Sequence, residues 1–289
     1  MLSPDIIAII TSYLDWKSTM NLYMTCRSFY NIWLQTKPFT RIVNNNKDFD
    51  DAIKDPTCCL IYLNALWTCP NNLTSIYSIP LRDIHIIGLG TNHFTAKWNT
   101  ADTRNRRITI SNVILSLNIT APAWDITISD CQISYFNIKC RQLLFHHSGS
   151  NSDKVYITAD KTWISSLSST DTPALWQIHS DYIDINRLVF RDTFLSLTGH
   201  DINIHNSYFS DEQYALIDFE LPSDNIRISN CLFKSSYSGI PYANRIKIYS
   251  TSLLICHDNK LLTADGKEFT DSNDIFIRFE YSLLVYDDL

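Results

Sequence analysis

The chain is short of several things that would mark a common activity. It has no basic surplus: 30 acidic residues outnumber 24 lysines and arginines, leaving a formal charge of −6 spread over 289 residues. Non-specific nucleic-acid binding needs a basic face, so nucleic acid is not an expected partner, the local cluster Arg104, Arg106 and Arg107 notwithstanding. Among eight cysteines there is no C-x-x-C pair and no His/Cys spacing of a zinc site. Glycine is scarce, with six in all, and Gly88-Leu89-Gly90 lacks the third glycine and following helix of a dinucleotide loop. No nucleophile elbow, Walker loop or kinase phrase is present. The start, Met1-Leu2-Ser3-Pro4-Asp5, has no basic region and leads only into the short apolar run Ile6 to Ile10. Neither a secretion signal nor a membrane span is expected there, which predicts an intracellular protein with no membrane partner. The sequons Asn72-Leu73-Thr74 and Asn118-Ile119-Thr120 carry little weight in that setting.

What the chain does have is a repeated phrase. Ile-x-Ile-x-Asn/Asp occurs at Ile108 to Asn112, Ile126 to Asp130, Ile202 to Asn206 and Ile226 to Asn230. Looser copies start at Ile84, Val155, Ile183 and Ile246, so successive copies begin 24, 18, 29, 28, 19, 24 and 20 residues apart. Repeats at this spacing, built of strand, turn and strand with no helical period between, point to a coiled parallel β-solenoid. The alternating isoleucines should face the interior and stack from coil to coil, Ile108 on Ile126 and Ile110 on Ile128. The Asn or Asp should sit at a sharp bend, because these residues tolerate the left-handed conformation. In the Ile183 copy Asn186 falls one place early and Arg187 takes the bend. Cys131 and Cys231 each follow a bend residue and are read as small buried thiols. The polar stretches Thr91 to Arg107, Ser148 to Asp153 and Ser165 to Pro173 are read as loops outside the rod. About eight coils at roughly 4.8 Å give a rod on the order of 40 Å.

The first 42 residues have a different character. Ile6, Ile7, Ile10, Tyr13 and Leu14 recur at helical spacing, behind Ser3-Pro4-Asp5, which suits a helix start. A second helix carries Met20, Leu22, Cys26, Phe29 and Trp33 and is stopped by Pro38. This segment resembles the F-box. The matching positions are Leu2, Pro4, Asp5, Ile6, Ile10, Tyr13, Leu14, Asp15, Leu22, Cys26, Arg27, Phe29 and Trp33, in register without a gap from Leu2 to Phe29. Thr11, Ser18 and Thr25 depart from the family's usual Leu, Asp and Val. The resemblance implies binding to the adaptor Skp1 of a cullin-RING ubiquitin ligase, with Leu2, Pro4, Ile6, Ile10, Leu14, Leu22, Cys26, Arg27 and Phe29 in the contact. The other reading is a helical cap over the first coil of the solenoid.

Residues 43 to 90 resemble the opening of a pectate-lyase-like right-handed parallel β-helix: Asp48 to Ile53 as a short amphipathic helix, two apolar strands, then Gly88-Leu89-Gly90 at a left-handed turn. The expected fold is therefore mostly β, a right-handed single-stranded parallel β-helix over residues 43–256 after a small α-helical F-box-like unit over 1–42. Residues 257–289, with a hairpin signal at Ala264 to Lys267, are read as a C-terminal cap. That family's members cleave polysaccharides with clustered carboxylates. Gly199-His200-Asp201 and Arg245-Ile246-Lys247 resemble two of the polygalacturonase phrases, but the Asn-Thr-Asp and Asp-Asp phrases are missing, so no catalytic residue, cofactor or metal is expected. Adjacent His146 and His147 point to opposite faces of a strand and make poor co-ligands, with His179 or His205 as third partner. The expectation is a scaffold that recruits a target protein, the alternative a carbohydrate-binding or carbohydrate-cleaving β-helix. For target contacts the sequence offers Trp98 with Arg104, Arg106 and Arg107, residue types that anchor interfaces, against a buried Trp98 as the other reading.

Overall fold

The structure is a computed structural model that describes residues 40–64, 79–80, 82–90, 92–152, 154–169, 174–191, 193–211, 217–235, 246–248, 253–262, 268–269 and 277–279. The F-box-like positions Leu2 to Trp33 lie outside the described residues. Among the described residues one helix, α1 (Asn46–Lys54), is followed or preceded by strands β1 (Thr40–Val43), β2 (Leu60–Leu63), β3 (Ile84–Gly88), β4 (His93–Asn99), β5 (Arg106–Ser111), β6 (Ile114–Ser129), β7 (Gln132–Ser150), β8 (Lys154–Ser169), β9 (Ala174–Asn186) and β10 (Val189–Arg191). The order continues with β11 (Thr193–His205), β12 (Tyr208–Asp211), β13 (Ile217–Ser229), β14 (Leu232–Ser235), β15 (Ile246–Ile248), β16 (Leu253–His257), β17 (Lys260–Leu262), β18 (Glu268–Phe269) and β19 (Ile277–Phe279). Every pairing among them is parallel except the β17–β18 hairpin, so the chain is a parallel β-solenoid.

Each coil adds a rung to three flanks. On the first flank Ile84, Ile108, Ile126, Leu143, Thr162, Ile183, Ile202, Ile226 and Leu254 are register partners in turn. The expected stacking of Ile108 on Ile126 and Ile110 on Ile128 is observed, and all four are at most 1% exposed. Strand side chains alternate faces, so the isoleucines fill the interior and the residues between them face out. Each buried isoleucine contributes roughly 1.5–3 kcal/mol. Thr162 stands where other rungs carry Ile or Leu; its buried hydroxyl meets Ser180 Oγ at 3.0 Å, so no polar atom is stranded. The flank runs through β1, β2, β3, β5, β6, β7, β8, β9, β11, β13 and β16; ten steps at about 4.8 Å make it roughly 50 Å long.

The bends after this flank are the most regular feature. Among the described residues eight non-glycine residues have positive φ: Asn112, Asp130, His147, Ser166, Arg187, Asn206, Asn230 and Asp258, at 49° to 56°. All lie at the same station, one after each first-flank rung from β5 to β16, so eight successive coils bend alike. Their amides tie the coils together: Asn112 N donates to Ser129 O at 3.1 Å and Arg187 N to His205 O at 3.3 Å. Arg187 does take the bend, as its offset phrase implies. Asn186 then serves the neighbouring coil: Asn206 Nδ2 donates to Asn186 Oδ1 at 3.0 Å, and Asn230 Nδ2 to Asn206 Oδ1 at 2.6 Å. Side-chain ladders of this kind satisfy amides along the stack.

Several expectations are corrected. Val155 and Ile246 are not first-flank copies. They lie on the third flank, where Val155 pairs with Phe136 and Trp176, and Ile246 with Ile217 and Ile277. The true first-flank rungs of those coils are Leu143 to His146, Thr162 to Ser165 and Leu254 to His257. The third flank alternates apolar residues too, and alternation identifies a strand without identifying its flank. Thr91 to Arg107 is not all loop: His93 to Asn99 pairs with Ile114 to Thr120. Ser148 to Ser150 and Ser165 to Ser169 are strand as well. Of their serines, Ser148, Ser150 and Ser169 are buried; Ser148 Oγ accepts from Cys131 N and donates to His146 O. Gly88 has no left-handed φ; a Cβ there would stand 2.1 Å from Asn112 O, so close approach of the next coil requires it.

Inside, large aromatic rings link successive coils. Phe49 of α1 meets Phe94 at 5.4 Å, and Phe94 continues to Trp98 and Trp124. Further along, Phe145, Trp176, Phe190, Phe209 and Phe233 follow one another at centroid distances of 5.2 to 6.4 Å. The helix α1 thus buries Phe49, Ala52 and Ile53 against the first coils. Asn45 caps it by accepting from Asp48 N, and Arg82 donates to the carbonyls of Ala52 and Ile53 at its end. Beyond Cys256 the coil continues, since Lys260 to Leu262 pairs with Leu232 to Lys234 and Ile277 to Phe279 with Ile246 to Ile248. The expected hairpin is present, with Leu261 opposite Phe269. No helix among the described residues is long and apolar enough to cross a membrane.

Candidate functional site

Where the third flank turns into the first, the inward column is small: Ala121, Cys140, Ala159, Ser180, Gly199 and Ser223. Small residues let the chain turn this corner tightly. Gly199 is the extreme case, because a Cβ there would lie 2.1 Å from Ser180 O. The result on the surface is a groove of about 380 Å³ running across several coils, walled by Lys139, Thr158, Asp160, His179, Asp181 and His200.

The groove's chemistry is polar and mixed in charge. His200 Nδ1 and Asp224 Oδ2 are 2.6 Å apart, and the Asp224 carboxylate raises the pKa of His200. Asp160 and Asp181 are exposed, on adjacent rungs between the register pairs Ala159–Ser180 and Lys161–Tyr182. Cys140 at the floor donates to Gln142 O at 3.4 Å, and burial pushes its thiol well above the usual range, so it is no nucleophile. General acid work needs a carboxyl sheltered from water, and Asp160 and Asp181 both face solvent.

Beside the groove, the outward side of the first flank carries an apolar patch. Leu144 is 39% exposed and is the register partner of Trp163. Trp163 is half-buried and meets Tyr182 at 5.8 Å with a 50° tilt between the rings. The neighbours along the column are polar: Thr127 before Leu144, then Asp184, Asn203 and Arg227 after Trp163. Asp184 is held by His205 Nε2 at 3.0 Å.

The residues singled out from sequence are placed differently. Trp98 is 1% exposed, packed against Phe94 and Trp124, and Arg106 is 5% exposed. A side chain in the interior cannot anchor a partner, so Trp98 and Arg106 are withdrawn as contacts. Asp102 gathers Arg104 and Arg106, each at 2.8 Å, and the two guanidiniums hold its carboxyl far below the usual range. These bonds fold the short 100–105 connection onto itself. Arg104 and Arg107 remain exposed, and the Arg107 amide donates to Asp83. The Skp1-contact positions Leu2, Pro4, Ile6, Ile10, Leu14, Leu22, Cys26, Arg27 and Phe29 lie outside the described residues.

Of the other candidates only His146 and His147 meet: their rings are 5.3 Å apart rather than on opposite faces, because His147 takes a bend at φ 49°. Ile246 and Lys247 pair with Ile217 and Asp218 on the third flank, whereas Gly199 to Asp201 turns the corner; Arg245 is outside the described residues. His146 and His205 share an outward column but are three rungs apart, roughly 14 Å. Among the described residues no three His, Cys, Asp or Glu side chains are grouped to hold a metal ion. The Leu144, Trp163 and Tyr182 patch was missed. Its signal is an apolar residue at outward places of the alternation, as in Leu143-Leu144-Phe145 and Thr162-Trp163-Ile164. No protein-family model, curated protein or solved structure matches this chain.

Proposed function

We propose that the protein is the target-recognition subunit of an SCF-type ubiquitin ligase, acting by binding rather than by catalysis. In this reading the residues from Leu2 to Phe29 engage Skp1 and the solenoid presents a surface to a target protein. The observation that carries the adaptor half is the ungapped F-box register from Leu2 to Phe29. What supports the recognition half is the outward-facing patch of exposed Leu144 and half-buried Trp163 and Tyr182 on a parallel sheet, since interface anchors are enriched in Trp and Tyr. A solenoid suits such work because its stacked coils hold side chains at fixed spacing over a long face. The carboxylates at the corner groove are solvent-facing, which argues for contact chemistry over glycoside cleavage.

The test is co-purification. Tagged full-length chain should bring down Skp1 from cells. Leu14→Asp combined with Leu22→Asp should abolish this while leaving the solenoid's thermal melt unchanged. Absence of Skp1 from the wild-type preparation, or its persistence in the double variant, would remove the adaptor reading.

A further inference from the structure

Resting on the reading of the solenoid as the recognition half, we propose that the Trp163–Tyr182 pair and the adjoining corner groove form the docking surface for an arginine-rich, extended segment of the target protein. The first ground is the ring. Trp163 is the large aromatic of an outward column otherwise dominated by polar residues, and it is only half-buried. An indole face attracts cations more strongly than any other side-chain ring, and a planar guanidinium also stacks on it.

The second ground is the surrounding charge. Asp160, Asp181, Asp184, Asp201 and Asp224 lie on the corner or beside the ring, against Lys139, Lys161, Arg141 (already paired with Asp125) and His200 (already paired with Asp224). Asp184 is the direct register partner of Trp163, and Asp181 precedes Tyr182 in the chain. Asp160 and Asp181 are exposed and make no hydrogen bond or ion pair among the described residues. An acidic or neutral segment would bring these carboxylates no new donor of opposite charge, whereas a guanidinium can donate to both oxygens of one carboxylate at once.

The third ground is shape. The groove of about 380 Å³ begins one residue from the aromatic pair, with Asp160 and Asp181 on its wall. An arginine side chain that crosses the ring edge has a channel to enter and a carboxylate at its mouth. Leu144, 39% exposed on the other side of Trp163, supplies an apolar shoulder for the methylene stem of such a chain.

The test uses the full chain and a fluorescein-labelled octapeptide of alternating glycine and arginine, read by fluorescence anisotropy at low salt. Glycine–lysine and glycine–glutamate octapeptides serve as comparisons. The arginine peptide should bind best, the lysine peptide several-fold more weakly, and the glutamate peptide not at all. Trp163→Ala should weaken the arginine peptide about tenfold, a loss of the size of one desolvated cation–π contact. Trp163→Phe should weaken it less, and this variant keeps a ring in place should the alanine form fail to fold. Asp160→Asn with Asp181→Asn should weaken binding and flatten its salt dependence. Asp50→Asn with Asp51→Asn, which removes two charges on α1, should leave it unchanged. Equal binding of arginine and glutamate peptides, no binding of any peptide, or full binding by both Trp163 variants would overturn the proposal. So would binding of maltohexaose at Trp163 in place of the peptide. Skp1 co-purification from the same preparations tests the adaptor reading separately, so failure of one leaves the other standing.

Discussion

Replacing Asn206 tests whether the left-handed bends select their residues. Asn206 has φ 53°, donates to Asn186 Oδ1 at 3.0 Å and accepts from Asn230 Nδ2 at 2.6 Å. Asn206→Ala removes these two bonds between coils, worth about 0.5 kcal/mol each at an exposed site, along with the 3.1 Å contact of Nδ2 with His205 Nδ1. It also puts a residue without a local hydrogen-bonding side chain into the left-handed region, at about 1 kcal/mol. The expected loss is about 2 kcal/mol. Asn206→Gly loses the same bonds but suffers no clash of Cβ with the carbonyl, so it should be about 1 kcal/mol more stable than the alanine form. On the adjacent strand the sign must reverse. Asn203 lies in ordinary extended backbone within β11, so Asn203→Gly should be less stable than Asn203→Ala by roughly 0.5–1 kcal/mol. Urea melts followed by circular dichroism give all four values. A glycine no better than alanine at 206, or the same order at 206 and 203, would refute the assignment of the bends. By the same reasoning Arg187→Gly should raise stability, since Arg187 sits at φ 56°.

Other outcomes follow from the packing. Gly199→Ala should cost about 2–3 kcal/mol, because its Cβ would meet the Ser180 backbone oxygen at 2.1 Å. Gly149→Ala should change stability by less than about 1 kcal/mol, because the atom it would meet is the movable end of the Gln132 side chain. His85, bonded through Nε2 to Ser111 Oγ at 3.1 Å, has its pKa lowered to about 4 by burial. The unfolded chain therefore binds the extra proton first, and stability should fall as pH drops from about 6.5 towards 4, by up to about 3 kcal/mol. His85→Gln should flatten that part of a pH series of urea midpoints. Burial pushes the Cys131 thiol up to about 12 and that of Cys231 to about 11, while Cys59 is exposed. Brief iodoacetamide treatment at neutral pH should label Cys59 and spare Cys131 and Cys231 until urea is added, as read by peptide mass mapping.

The parts of the fold that were legible in the sequence are those set by local rules. Period-two isoleucines fix an inward face, and Asn112, Asp130, Asn206 and Asn230 mark bends because few residues accept positive φ. His147 and Ser166 occupy the same station but are not the Asn or Asp of the repeated phrase, so two coils carry no copy of it and Val155 reads as a first-flank start although it lies on the third. Inward serines at 148 and 150 looked like loop because their hydroxyls are satisfied by backbone that only the coil supplies. The surface was less legible still. Whether a tryptophan faces in or out depends on strand phase, and a one-residue error in phase exchanges the faces. Trp98 faces in and Trp163 faces out, which the local sequence around each does not reveal. The corner groove has no local signature, since it is built from single small residues on successive coils.

The claim on which the account most depends is that the residues from Leu2 to Phe29 couple this solenoid to a ubiquitin ligase. Isothermal titration of purified full-length chain with purified Skp1 measures it directly. A one-to-one complex with a Kd of ~1 μM or tighter is expected, lost in the Leu14→Asp, Leu22→Asp variant whose solenoid still melts as the wild type does. No heat and no co-elution with Skp1, or an undiminished affinity in that variant, would contradict it.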